Sequence, residues 1–200
     1  MAVDALPVDE CEMRSMRTRR RHFALASIAM GALILSGCSA VDGQDDLLAE
    51  HGLDGLSGRQ IVEQLDTSEE PRPLALGASV RENEVVLSDG STEIAVDLPE
   101  DQQYVSIAPY VEQTHECYYH SLATCQGELT EAEVEVTITA EDGEVLVDEA
   151  VTTYANGFVG FWVPRDISGT IEVAYGDLTG SVPFTTTEGS ATCITTLQVS

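Results

Sequence analysis

The feature that most constrains the fold is a series of short apolar segments over 83–200, in which apolar side chains recur every second residue. Between 133 and 138 the alternation of apolar and polar residues is strict. Asp89-Gly90, Asp142-Gly143 and Asn156-Gly157 separate such segments, and dipeptides of this kind favour tight turns. Alternation with frequent turns is typical of antiparallel strands with one buried face. We therefore predict that the chain is mainly β, with an antiparallel β-sandwich-like domain over this range.

A shorter helical segment is predicted ahead of the strands, over 45–66. Ser57 and Gln60 have the spacing of a capping box, which marks the start of the second of two short helices. Helices of this length are marginal in isolation, so we expect a helical hairpin that packs on other elements. With this hairpin the chain is α+β overall. The acidic, proline-containing segment 67–82 is predicted to be a linker.

The first 37 residues have the features of an export signal, and we expect them to lie outside the folded domain. A block of arginines precedes an apolar run over 23–35, which is too short to span a bilayer as a stable helix. We predict a signal peptide over 1–37. It ends in Leu35-Ser36-Gly37-Cys38, which resembles the lipobox of bacterial lipoproteins. This resemblance implies lipidation of Cys38 and a tether over 38–44, whereas a plain signal peptide with a chance cysteine is the alternative.

The charge balance is strongly acidic. The chain has 35 acidic and nine basic residues, a formal net charge of −26, and no lysine. Nucleic acid and anionic lipid headgroups are therefore excluded as expected partners, because both repel such a surface. A solubilising exported surface, or adaptation to salt, accounts for the acidity.

Cysteines and histidines concentrate between His115 and Cys125. Cys117 and Cys125 would lie about 12 Å apart along one continuous helix and about 26 Å apart along one strand. Both distances exceed the roughly 7 Å limit for a disulfide, so the chain must fold back if the two sulfurs act together. Cys193 begins a predicted strand and faces the same way as Leu197, from where it could reach this loop.

Three thiols remain if Cys11 leaves with the leader and Cys38 carries lipid, and an odd number leaves one unpaired. One reading is a structural Cys117–Cys125 disulfide, with Cys193 as a small buried apolar residue. Three thiolates would also suit Cu(I), and His120 would complete a Cys₃His zinc site. No arrangement typical of acid–base or serine catalysis is present.

Three segments resemble the CueP family of periplasmic copper-binding, copper-resistance proteins. They are Cys117 to Leu129, Asn156 to Asp166 and Thr192 to Leu197, and 51–65 resembles the family's helical segment. The likeness extends over most of the chain beyond the leader. It implies that Cys117, Cys125 and Cys193 bind copper, with His120 as part of the motif.

We therefore expect an exported, membrane-anchored protein of the cell envelope that sequesters or transfers Cu(I) and supports copper resistance. Zinc is the less favoured metal. Copper-receiving or copper-exporting envelope proteins are the expected partners, and membrane contact would occur only through the lipid anchor. The resemblance also allows reduction of Cu(II) by the thiols, although we do not expect an enzyme. The alternatives are a thiol–disulfide redox protein that uses Cys117 and Cys125, and an interaction module stapled by a disulfide or zinc.

Overall fold

The structure is a computed structural model that describes residues 40–200, with side chains from residue 43 onward. The predicted signal peptide and Cys38 therefore lie outside the described residues. Within the described range, no helix is both long and apolar enough to cross a membrane. The described residues form two helices and ten strands, which confirms the mainly β prediction.

The two helices are α1, Ala40–Glu50, and α2, Gly58–Asp66. α1 begins inside the segment predicted as a tether. The predicted capping box at the start of α2 is present, because Ser57 accepts from the Gln60 backbone N–H and the Gln60 side chain accepts from the Ser57 backbone N–H. Ile61 and Val62 are fully buried, so α2 packs through its apolar face.

The first sheet has the order β1-β2-β3 and is antiparallel throughout. Its strands are β1, Gly77–Val80; β2, Glu84–Ser88; and β3, Glu93–Asp97. The predicted turn at Asp89-Gly90 joins β2 to β3, and Gly90 has a positive φ of 91°. Helices and sheet share one core, which includes Leu53, Ile61, Val80, Val85 and Leu87.

β1 corrects the prediction of a linker over 67–82, because part of that segment is a strand. Its backbone pairs with β2, and alternate residues Ala78 and Val80 are buried. The four residues of β1 are too few for alternation to be recognised in the sequence, so the partner strand decides the structure here.

A second three-stranded sheet has the order β10-β4-β7. Its strands are β4, Gln102–Ile107; β7, Val159–Pro164; and β10, Cys193–Ile194. β4 pairs antiparallel with β7 but parallel with β10, which places Cys193 opposite Ser106. The parallel pair is the departure from the expected antiparallel arrangement. Although β10 is short, burial still alternates from Cys193 to Val199, as predicted.

The third sheet is antiparallel and has the order β6-β5-β8-β9. Its strands are β5, Glu133–Ala140; β6, Val145–Thr152; β8, Ser168–Tyr175; and β9, Leu178–Thr185. One apolar core is shared with the β10-β4-β7 sheet and includes Ile107, Val136, Ile138, Ile171 and Leu197. The two sheets therefore pack face to face, as in a β-sandwich. Asn156-Gly157 leads from one sheet to the other, since β6 and β7 do not pair.

Candidate metal centre

Cys117 and Cys125 lie in the long loop between β4 and β5, and this loop folds back as the sequence required. The backbone N–H of Cys125 donates to the carbonyl of Ser121 at 3.1 Å. The Ser121 hydroxyl also accepts from the backbone and side chain of Thr124, at 3.2 and 2.7 Å. This turn brings the Sγ atoms of Cys117 and Cys125 to 3.5 Å from each other.

Cys193 reaches the same place from the terminal strand β10. The backbone N–H groups of Thr192 and Cys193 both donate to the carbonyl of Tyr118, at 3.0 and 3.1 Å. Since Tyr118 follows Cys117 directly, these bonds fix the terminal segment beside the cysteine loop. The structure thus brings all three predicted sulfurs together.

The disulfide joins Cys117 to Cys193, with a Cα–Cα distance of 5.7 Å, and Cys125 is a free, buried cysteine. The alternative in which Cys117 bonds to Cys125 is therefore wrong in its pairing. The sulfurs of Cys125 and Cys193 both lie near that of Cys117. Which of them forms the disulfide depends on how the terminal strand packs against the loop. Sequence spacing holds no information about that contact.

His120 is fully buried and faces the sulfurs with one ring nitrogen. Its Nδ1 lies 3.8 Å from the Sγ of Cys193, and its ring lies 4.5 Å from the ring of Phe158, centroid to centroid. Its backbone N–H donates to the Thr192 hydroxyl at 3.0 Å, and its carbonyl accepts from Val80 at 2.8 Å. One ligand atom each from Cys117, His120, Cys125 and Cys193 lie within 4.8 Å of one another.

The other ring nitrogen of His120 contacts a buried carboxylate that the sequence analysis did not identify. Nε2 lies 2.9 Å from Oδ1 of Asp66, the last residue of α2. Asp66 also accepts from the Tyr104 hydroxyl at 2.6 Å and from the Asn156 amide at 2.7 Å. The available signal was that Asp66 lies one helical turn after the buried Val62, where an apolar residue is expected. The sequence pointed to Asn156 only as a turn residue and as the start of a segment that resembles the CueP family.

Burial and charge act against each other on these groups. Burial lowers the pKa of His120, but the Asp66 carboxylate, its hydrogen bond and a smaller contribution from Cys125 outweigh burial and raise that pKa to about 9. Burial raises the pKa of Asp66, whereas His120, Tyr104 and Asn156 together bring it below its usual value. The pKa of Tyr104 is raised by burial and by the neighbouring carboxylate. The structure therefore keeps Asp66 ionised inside the protein.

Access to the sulfurs is uneven. Cys125 and Cys193 are 8% and 3% exposed, while Cys117 is half-buried. Cys117 lines an open groove of about 630 Å³ together with Tyr110, Thr114, His115, Glu116, Tyr118, Thr195 and Thr196. A reagent or metal ion that comes from solvent therefore meets Cys117 first.

The donor set has two chemical capacities. Soft thiolates with an imidazole suit Cu(I), and Cys₃His is also a recognised structural zinc set. The same three sulfurs, one pair bonded and the third close by, have the arrangement that thiol–disulfide exchange requires. Ser121, next to His120 in the sequence, hydrogen-bonds within the turn, which leaves it a structural role.

Two comparisons with known proteins give matches, and both matches are to proteins described as CueP. The family model described as "Periplasmic copper-binding protein CueP" matches residues 60–198. A solved structure described as "Crystal Structure of S.CueP" superposes with a TM-score of 0.77 at 40% sequence identity, covering 78% of this chain and 97% of that one. Comparison with curated proteins gives no match. The match of the family model spans most of the described residues, and the chain belongs to the CueP family of periplasmic copper-binding proteins.

Proposed function

We propose that the chain binds copper as Cu(I) through Cys117, Cys125 and Cys193, with His120 as a fourth ligand. The observation that carries this proposal is the convergence of four donor atoms within 4.8 Å, from one folded-back loop and one terminal strand. Two of the three sulfurs and the imidazole are buried, so the surrounding protein excludes water and competing hard ligands.

Binding by three thiolates needs the reduced form of the site. The Cys117–Cys193 disulfide must take up two electrons, and a thiol reductant of the envelope would supply them while becoming a disulfide itself. The two new thiols lose their protons when the metal binds. Cys117 is the sulfur through which copper enters and leaves, because it alone of the three is half-buried beside the groove.

The site serves sequestration or transfer of Cu(I) and thereby copper resistance. Cys38 carries lipid, which tethers the protein to the membrane of the cell envelope, and copper-receiving or copper-exporting envelope proteins are its partners. Two acyl chains give stable anchoring where one gives only marginal affinity. The acidic surface disfavours nucleic acid as a partner.

Anaerobic titration with thiol counting tests the proposal. In a full chain with Cys11→Ser and Cys38→Ser, one thiol should react before reduction and three afterwards. Reduced protein should then bind one Cu(I) against a chromogenic Cu(I) chelator, with loss of all three reactive thiols. Zn²⁺ added to a parallel sample serves as the comparison metal. If three thiols remain reactive in the presence of Cu(I), the proposed site is wrong.

A redox role is the second candidate, and the disulfide favours it. Oxidation of the Cys117 and Cys193 thiols to a disulfide releases two electrons and two protons, enough to reduce two Cu(II) ions to Cu(I). Mixing reduced protein with Cu(II) should then yield two Cu(I) for each pair of thiols lost. Retention of all three thiols in the presence of Cu(II) would exclude this role.

A further inference from the structure

Asp66 is a buried charged residue that is not itself a proposed copper ligand. Its side chain is fully buried and lies at the end of α2, far in sequence from the cysteines. A buried carboxylate is costly unless it is hydrogen-bonded and paired. Packing alone would favour an apolar residue here, next to Val62 on the same helix face. The carboxylate must therefore have another role.

The geometry of His120 indicates that function. An imidazole has two nitrogens, and only one of them can point at the sulfurs. Nε2 is hydrogen-bonded to Oδ1 of Asp66 at 2.9 Å. Nδ1 therefore faces Cys193 and lies 3.8 Å from its Sγ. In proteins, a histidine that binds a metal usually donates its other ring N–H to a carboxylate, and this bond fixes both tautomer and ring orientation.

Asp66 is itself held from two other directions, so it cannot follow a rotation of the ring. The Tyr104 hydroxyl donates to Oδ2, and the Asn156 amide donates to Oδ1. Asn156 is fixed in turn, because its own Oδ1 accepts from the backbone N–H of Phe158 at 3.0 Å. Phe158 also packs against the His120 ring, with the two rings tilted by 43°. The ring is thus held by an aromatic neighbour and by an acceptor that is itself hydrogen-bonded from two other residues.

We propose that Asp66 is the positioning residue of the copper site: it accepts from Nε2–H of His120 and thereby presents Nδ1 to the metal beside the three sulfurs. This inference rests on the proposed function, since it concerns how His120 acts as the fourth ligand. Tyr104 and Asn156 hold Asp66 in place and act on the metal only through it.

A double-mutant cycle tests whether Asp66 acts through His120. Asp66→Asn keeps the shape of the side chain and removes the charge, and should weaken Cu(I) binding about 10–100-fold, the usual cost of losing an outer partner of a ligand. In a His120→Ala background the same change should weaken binding by less than about threefold, because the ligand that it positions is gone. Asp97→Asn is the matched control, an exposed aspartate at the end of β3, and should leave affinity unchanged. Equal losses from Asp66→Asn in both backgrounds would overturn the proposal.

A measurement on the unchanged protein decides the matter if Asp66→Asn fails to fold. In ¹⁵N NMR of the full chain with Cu(I) bound, His120 should carry its proton on Nε2 and show the shift of a metal-bound nitrogen at Nδ1. In metal-free protein the Nε2 proton should exchange slowly with water, since that end of the ring is buried against Asp66. A proton on Nδ1 with metal at Nε2, or no metal at either nitrogen, would refute the positioning role.

These outcomes separate the inference from the function on which it rests. If reduced wild-type protein binds no Cu(I), the proposed function fails and the positioning role fails with it. If Cu(I) binds through three sulfurs and the His120 ring is unchanged, Cu(I) binding by the cysteines stands, whereas His120 as fourth ligand and the positioning role of Asp66 are both wrong.

Discussion

The two sides of the His120 ring differ in burial and in the elements that form them. On one side lies the sulfur half of the site, Cys117, Cys125 and Cys193, which is built from a loop and a short terminal strand and opens onto a groove. On the other lies the carboxylate half, Asp66, Tyr104 and Asn156, in which every side chain is 2% exposed or less.

The difference fits the roles that we propose for the two halves. Metal ligands that receive and release an ion need a route to solvent, and a loop beside a groove gives one. A group that only positions a ligand gains from burial, because hydrogen bonds are stronger and better fixed where water does not compete. The same burial makes the carboxylate half costly to disturb, so variants of the two halves should fail in different ways.

The largest effect on stability is expected from Asp66→Ala. The change leaves His120, Tyr104 and Asn156 without their shared acceptor inside the core, and breaking a buried ion pair typically costs about 3–5 kcal/mol. Urea unfolding of metal-free protein measures the loss. The exposed Asp97→Ala should change the free energy of unfolding by no more than about 0.5 kcal/mol. A loss below about 1 kcal/mol for Asp66→Ala would mean that the two halves do not differ in this way.

The largest effect on copper binding is expected from Cys193→Ser. Loss of one of three thiolates should weaken Cu(I) binding by more than the roughly 10–100-fold that follows loss of an outer partner. Competition with a Cu(I) chelator under reducing, anaerobic conditions gives the affinity. Ser200→Ala, exposed at the end of the same terminal segment and outside the groove, is the control and should leave the affinity unchanged. Unchanged affinity of Cys193→Ser would remove this cysteine from the site and leave a two-thiolate centre.

The sulfur half was largely predictable from the sequence, because its residues are recognisable by type. Cysteine is rare in this sequence and has few roles, so its positions are informative. Chain geometry then showed that Cys117 and Cys125 can meet only if the chain folds back between them. The alternation after Cys193 predicted the face on which its side chain lies. The choice of Cys193 as the disulfide partner of Cys117 was not predictable, since it depends on docking between segments 76 residues apart.

The carboxylate half was not predictable from local patterns. Asp66 is one of 35 acidic residues, and nothing but its place on the apolar face of α2 distinguishes it from those on the surface. Asn156 has the sequence context of an ordinary turn, and Tyr104 that of a core strand residue. Only the packing of α2 and the β6–β7 turn against β4 brings the three together, and such long-range contacts leave no periodic signal. Strand β1 was missed for a related reason, because its pairing with β2 outweighs its short, weak pattern.

A smaller effect is expected where one bond of the carboxylate half is removed and the rest remain. Tyr104→Phe deletes the hydroxyl that donates to Oδ2 of Asp66 but keeps the aromatic packing against Trp162. A hydrogen bond to a charged group contributes about 1.5–3 kcal/mol, so the free energy of unfolding should fall by that amount. Tyr175→Phe, at the end of β8 in the four-stranded sheet, provides the comparison for loss of a tyrosine hydroxyl. A loss as large as that of Asp66→Ala would show that Tyr104, and not the carboxylate, dominates this half.

The smallest effect is expected from Glu128, an exposed residue that supports the loop ahead of Cys117. The Glu128 carboxylate accepts from the backbone N–H groups of Val111, Glu112 and Gln113, at 2.7, 3.0 and 3.2 Å, in the loop that leads to Cys117. These bonds lower the pKa of Glu128. Because the folded-state pKa is lowered, the stabilisation is present at neutral pH and is lost as the pH falls through that value. Glu128→Gln removes the charge at every pH.

Hydrogen exchange at those three amides checks this prediction. At neutral pH the amides of Glu128→Gln should exchange faster than those of the wild type, since a neutral acceptor binds the N–H groups less strongly than a carboxylate. The difference should shrink in acid, where the wild-type carboxyl is protonated as well. Glu133→Gln, an exposed glutamate in β5, should change none of the three rates. If Glu128→Gln leaves the three amides as protected as before, the loop ahead of Cys117 is held by its other contacts. The sulfur half would then owe its order to the bonds from Thr192 and Cys193 to Tyr118 and to the turn between Ser121 and Cys125.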